Sequence, residues 1–308
     1  MTAEPHALAP SAASHAAARV AARAPFRATS LAHDAARVAA RAPFRATSLA
    51  HAEHGAAVTG TLPPWLRGDL VRTAPAAFSA PGWEAAHWFD AYGMLYAFRL
   101  DGARVSFRQR MLESTAWARA QAGQARVGTF ATPMQRSFWQ RLIQPVPAMT
   151  DNANVNVVPF GDDRVALTET CHQLLVDPDT LAVRGRVTWD DRLGDLATTA
   201  HPQWDPARRV VVNAALVMTG ASPHVLLLEH APSSRTRRVI ARLPRKRLPY
   251  VHSFGLTAEH VLVVEHPLTV KPTHLLWSNA GFLDHFRWDE AAGTTVTRVD
   301  RATGKEVR

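Results

Sequence analysis

From about residue 54 onward the sequence is a series of short apolar runs punctuated by turn signals, and this spacing constrains the fold more than any other feature. Leu95–Leu100 stops at Asp101-Gly102, Val165–Thr168 follows Gly161-Asp162-Asp163, and Leu174–Val176 stops at Asp177-Pro178. Val210–Val212, Val225–Leu228 and Val261–Val264 continue the series. Runs this short, rich in β-branched and aliphatic residues, are strand-length and too brief for helices. They predict an all-β sandwich, barrel or propeller, and spacing alone does not choose among these. No WD or kelch repeat is present to decide it. Helical patterns are scarce: Thr115–Gln124 is one, and Pro133–Ile143 reads as a helical or interfacial segment.

Residues 1–53 have a different texture, Ala- and Arg-rich and poor in acids. His15–His33 is repeated as His33–His51 with a period of 18 residues, and the copies differ only at Ala16 against Asp34. Two copies are too few to stack as a solenoid. Each suits a short helix stopped at Pro25 or Pro43. The segment is expected to be a mobile or helical extension without a role in chemistry. An organelle transit peptide and a membrane-surface or partner contact are the other readings of its composition. The domain division expected is therefore 1–53 and 54–308.

Charge gives a weaker signal than its size suggests. The net charge is +9, yet only three of the 35 basic residues are lysines, and the arginines are spread along the chain. The densest cluster, Arg235–Arg247, lies among Pro232, Pro244 and Pro249 and reads as a solvated strand-to-strand connection. No aromatic-interleaved basic motif accompanies it, so no nucleic-acid partner is expected. The single cysteine, Cys171, excludes an internal disulfide framework and a multi-cysteine zinc site. No apolar stretch is long enough to span a bilayer as a helix.

Four local clusters carry candidate chemistry. They are Leu62-Pro63-Pro64-Trp65-Leu66-Arg67-Gly68-Asp69-Leu70-Val71-Arg72 with His87-Trp88-Phe89-Asp90; Asp151–Asn156 with Ala166-Leu167-Thr168-Glu169; Ala200-His201-Pro202-Gln203-Trp204-Asp205-Pro206; and Tyr250-Val251-His252-Ser253-Phe254-Gly255-Leu256-Thr257. Singly, each has a structural reading: a turn histidine, a satisfied core histidine, or a carboxylate paired with an arginine. Together and in this order they resemble the carotenoid cleavage oxygenase family, which includes apocarotenoid and lignostilbene dioxygenases and the retinoid isomerase of vision. The likeness extends through Glu265-His266-Pro267-Leu268 and through Gly293-Thr294-Thr295-Val296 to Val299-Asp300-Arg301 and Thr303-Gly304.

The resemblance implies a set of expectations. His201 and His252 fall on two of four histidine ligands to Fe(II), and Glu169 on a carboxylate that holds a ligand histidine from behind. Oxygen is the implied co-substrate, and a lipophilic polyene or stilbene-like molecule, held in an apolar tunnel, the implied partner. Its double bond would be cleaved to two carbonyl products. Phe138–Ile143 resembles the apolar patch with which relatives contact membranes, although a packed helix explains it equally. The localisation expected is cytoplasmic, with peripheral membrane contact open.

The family's third and fourth ligand motifs, near "H-x-x-N-A-x-E" and a late His-Gly, have no counterpart before Arg308. The resemblance therefore implies the truncated N-terminal part of a seven-bladed β-propeller, incomplete as an enzyme. A catalytically inactive half-propeller serving as a scaffold or remnant is the alternative. Of the remaining histidines, His172 is the first candidate for a substitute ligand because it closely follows Glu169. Ala91 and Ala74 stand where the family usually carries glycine and asparagine.

Overall fold

A computed structural model describes residues 46, 48–124, 130–218 and 222–307. The chain divides into Met1–Pro43 and Phe44–Arg308, and every described residue belongs to the second unit. The helical or mobile character expected for the duplicated segment, and nearly all of that segment, lie outside the described residues.

Four antiparallel sheets follow one another along the chain. The first contains β1 (Ala52–Ala56), β2 (Arg67–Ala77), β5 (Tyr92–Asp101) and β6 (Val105–Met111) in the order β1-β6-β5-β2, with a small hairpin, β3 (Ser79–Ala80) and β4 (Trp83–Glu84), after β2. The second runs β10-β9-β8-β7, from β7 (Asn156–Phe160), β8 (Asp163–Leu167), β9 (Leu174–Val176) and β10 (Val183–Arg186). In the third, β11 (Ala197–Thr198) and β12 (Gln203–Asp205) both pair with β13 (Val210–Val217), followed by β14 (His224–His230) and β15 (Arg238–Pro244). The fourth is β17 (Phe254–Leu256), β18 (His260–Glu265), β21 (Thr295–Asp300) and β22 (Glu306–Val307). A small ladder of β16 (Leu248–Pro249), β19 (Leu268–Val270) and β20 (Arg287–Trp288) sits beside it. The expected all-β class is what the structure shows, and the short apolar runs each fall in a strand.

Successive sheets bury their faces against one another, as blades do. Leu95, Ala97 and Leu112 of the first sheet region meet Ala166, Leu174 and Val176 of the second. Val165, Leu167 and Leu175 meet Ala200 at the start of the third. Val212, Val225 and Leu227 meet Val261, Val263 and Val299 of the fourth. Strand alternation explains how one sheet serves two cores: Leu95 and Ala97 point into one cluster, whereas Tyr92 and Met94 point into another with Trp117. Such strands read as continuous apolar runs because both faces are covered.

Two helices interrupt the strands. α1 (Thr115–Gln121) is capped by the Ser114 hydroxyl, which accepts from the Trp117 amide at 3.0 Å. α2 (Phe138–Ile143) opens with a reciprocal capping box between Ser137 and Gln140. It is shorter than the Pro133–Ile143 span read from the sequence, and none of its residues is buried. The packed-helix reading is thus corrected: Phe138, Trp139, Leu142 and Ile143 are all exposed, Ile143 at 83%.

A second correction concerns Arg235–Arg247, which is no solvated connection. It contains β15, and two of its guanidiniums are buried. Arg237 donates through Nε to Asp191 Oδ2 and through Nη2 to Asp191 Oδ1, both at 2.8 Å, while Arg245 forks onto Glu265 at 2.6 and 2.7 Å. Burial is tolerable because each planar guanidinium meets a carboxylate in matching geometry. Their partners lie 46 and 20 residues away, so the sequence cluster alone looked solvated.

Candidate metal centre

Three segments meet at the candidate site. Glu169 follows the end of β8, His201 lies in the break between β11 and β12, and His252 precedes β17. Thr199, just past the end of β11, sets the position of His201. Its amide donates to Ala214 O at 2.8 Å, its hydroxyl donates to Asn213 Oδ1 at 2.8 Å, and the His201 amide donates to that hydroxyl at 3.3 Å. Asn156 Nδ2 donates to Ala200 O at 2.8 Å, tying β7 to the residue before His201.

The asparagine-rich run is a set of backbone ties. Asn152 accepts from the Gly93 amide at 2.9 Å and donates to Ala91 O at 2.9 Å, and Asn154 donates to Phe89 O and Ala91 O. Gly93 lets the two segments approach closely, since a Cβ there would lie 3.0 Å from Asn154 Cβ and force that residue to shift. Asp90 gathers the Phe130 and Ala131 amides and the Thr132 hydroxyl. His87 caps its own turn, accepting from the Phe89 amide at 3.2 Å. The His-Trp-Phe-Asp and Asn-rich clusters thus build the wall around the histidines.

Glu169 joins two side chains. Its Oε1 lies 2.5 Å from His252 Nδ1, and its Oε2 accepts from the Tyr250 hydroxyl at 2.7 Å. Tyr250 and His252 share a side because they are two apart in extended chain, and their rings lie near-parallel at 6.1 Å. The His201 and His252 rings meet edge-on with centroids 4.4 Å apart. The hydrogen bond that His252 donates to Glu169 raises the pKa of His252. Burial, followed by the neighbouring His252, lowers that of His201. Burial raises the Tyr250 phenol, and the Glu169 charge adds to this, so it remains a donor.

His201 Nε2 is buried and has no hydrogen-bond partner. An orphaned imidazole nitrogen, on a ring whose neighbour is a second imidazole that a carboxylate holds from behind, is a donor set suited to a divalent first-row metal. No group of three or more His, Cys, Asp or Glu residues arranged for a metal occurs among the described residues. His172 joins neither ring. It lies against the Arg186 guanidinium and Cys171 Sγ, and does not line the cavity that holds His201 and His252.

That cavity has a volume of about 630 Å³, with walls that include Trp83, Trp88, Phe89, Tyr96 and Phe130. A second cavity of about 590 Å³ adjoins it and shares Phe130, Thr150, Glu169 and Tyr250 with it. Tyr250 opens the fourth sequence cluster, but the sequence assigned it no role. Its place two residues before His252 is the signal that could have found it. Asn156 stood inside a recognised motif and Thr199 just ahead of one, and only the fold shows what they hold.

Residues 45–308 match the family described as RPE65, retinal pigment epithelial membrane protein. The carotenoid cleavage dioxygenase 8 homolog A, chloroplastic, of Oryza sativa subsp. japonica is 34% identical over 266 residues, 81% of this chain and 48% of that protein. The mitochondrial carotenoid-cleaving dioxygenase of Macaca fascicularis is 30% identical over 278 residues, 81% of this chain and 49% of that protein. The chain spans about half the length of the curated relatives it matches. In structure it resembles a variant of Synechocystis apocarotenoid oxygenase, with a TM-score of 0.71 at 20% identity over 86% of this chain and 57% of the other. The cobalt-substituted Synechocystis protein gives a TM-score of 0.70 at 21% identity and the same coverage. On the extent of the family match and the identity to its curated relatives, the chain belongs to the RPE65 family of carotenoid oxygenases.

Proposed function

We propose that this chain is part of an iron dioxygenase that cleaves a double bond of a lipophilic polyene, or of a stilbene-type molecule, to two carbonyl products. The observation that carries this reading is the Glu169–His252 hydrogen bond beside the orphaned Nε2 of His201. His201 and His252 would hold the metal. A ferrous ion held there would activate molecular oxygen, and the four electrons that reduce it to two carbonyl oxygens would come from the cleaved double bond. Glu169 accepts a hydrogen bond from Nδ1–H of His252, which fixes the tautomer and turns the Nε2 lone pair away from the carboxylate. Tyr250 fixes Glu169 in turn. Burial keeps the His201 ring neutral, the protonation state that a ligand needs. The aromatic walls exclude water and take up the apolar substrate.

The exposed Phe138–Ile143 surface supports peripheral membrane contact as the route by which such a substrate arrives. No described helix is long and apolar enough to cross a membrane. We also propose, from the resemblance, that the four sheets are blades of a seven-bladed propeller, that the chain ahead of β1 forms an extension, and that the protein acts in the cytoplasm. An inactive scaffold is the second reading. It is favoured by one observation, the lack of a three-ligand group among the described residues.

Metal analysis decides between them. The chain is loaded anaerobically with ferrous iron, desalted, and assayed for iron and for oxygen-dependent carbonyl products from an apocarotenal. Bound iron that falls away in His201→Ala and in His252→Ala supports the site. Background iron with no product leaves the inactive reading. Iron retained by both variants rules out these ligands.

A further inference from the structure

The second cavity has a chemistry that the dioxygenase reading does not use. Its walls are largely apolar, with Val146, Leu216, Met218, Leu275 and Phe282 among them, and its volume of about 590 Å³ suits one elongated molecule. Two of the chain's three lysines, Lys246 and Lys271, also line it. Their proximity follows from strand register. β16 pairs with β19 antiparallel, Leu248 opposite Val270, so the residues just before β16 and just after β19 share one rim.

These ammonium groups differ from the arginines around them. Arg245 is taken by Glu265 and Glu306, and Arg247 lies 4.0 Å from Asp289. Among the described residues neither ammonium group has a carboxylate partner or a hydrogen bond. The acids on the wall do not neutralise them. Both oxygens of Glu169 are engaged by His252 and Tyr250. Asp195 lies near Cys171, whose thiol is pushed up by burial first and by Asp195 second. An apolar chamber with two unpaired cations on its rim complements a molecule with a long apolar body and an anionic end.

We propose that this cavity binds a long-chain carboxylic acid, its hydrocarbon inside and its carboxylate between Lys246 and Lys271. A neutral polyene would gain nothing from the two lysines. The site is therefore suited to an acid, such as the oxidised form of an aldehyde product, or to a free fatty acid. The inference does not depend on bound iron.

The test uses the whole chain, metal-free, titrated with cis-parinaric acid, a fluorescent conjugated fatty acid, and with its methyl ester. The acid is expected to bind about tenfold more tightly than the ester, the size expected of two partly solvated ammonium–carboxylate contacts. Lys246→Met with Lys271→Met should remove that preference and leave ester binding unchanged, because methionine keeps the apolar stem. Lys305→Met, which deletes the same charge outside the cavity, should retain it. Equal binding of acid and ester, a preference that survives the double variant, or no binding of either probe would each overturn the proposal. His201→Ala should leave acid binding intact, so failure of the iron site and failure of this site are read separately. A retinoic acid arm run beside parinaric acid distinguishes a polyene acid from a general fatty acid as the preferred ligand.

Discussion

Replacing Asp191 by asparagine should cost the fold about 2–3 kcal/mol at pH 7, most of which disappears on acidification. Asp191 is 8% exposed and Arg237 3% exposed at their side chains. The carboxylate receives the Arg237 backbone amide at 3.0 Å, both guanidinium contacts at 2.8 Å and the Leu193 amide at 2.9 Å. The guanidinium also covers Trp189, its Cζ 4.6 Å from the ring centroid. Arg237, ahead of all other causes, pulls the carboxyl from the usual 3.8 down to about 2. That displacement corresponds to about 2.4 kcal/mol, which solvent screening reduces to about 1–2 kcal/mol. Leaving Arg237 buried without its counter-charge brings the expected loss back to about 2–3 kcal/mol.

The sign follows from linkage. A folded pKa below the unfolded one stabilises fully above 3.8 and is lost as pH falls through about 2. About half of the pKa-linked part is gone by pH 3. Urea unfolding followed by tryptophan fluorescence at pH 7 and at pH 3 measures the gap between the parent and Asp191→Asn. A gap below about 0.5 kcal/mol at pH 7, the level of an unremarkable surface change, or one that does not shrink at pH 3, would refute the reasoning.

Glu169→Gln should weaken ferrous or cobalt(II) binding about 10- to 100-fold, the range for outer-shell partners of ligand histidines; unchanged affinity by competitive chelation would separate Glu169 from the metal. Gly304→Ala should destabilise by about 2–3 kcal/mol, because Gly304 has φ of +71° and a Cβ would meet Ile240 O at 2.6 Å. Its melting temperature checks this, and parity with the parent contradicts it. Trp139→Ser with Ile143→Ser, at side chains 68% and 83% exposed, should reduce sedimentation with phosphatidylcholine vesicles and leave thermal stability unaltered. Undiminished vesicle binding argues against α2 as the contact.

Much of this protein was legible in its sequence because the signals are local. Run length and turn residues set the strands: Leu174–Val176 is a strand with those bounds, and β5 ends at Asp101 just before the Gly102 turn. Motif order placed Glu169, His201 and His252 as a group, and the structure brings the three together. The misreadings involved partners distant in the chain. Arg237 looked solvated because Asp191 is 46 residues away, and α2 admitted a packed reading because its pattern does not say whether anything covers it. Tyr250 gained significance only when the fold delivered Glu169 from 81 residues earlier. Local propensity and pattern are written residue by residue, so the sequence determines strands, turns and motifs. Burial, ion-pair partners and the shared rim of Lys246 and Lys271 depend on which surfaces meet, and only the tertiary structure decides that.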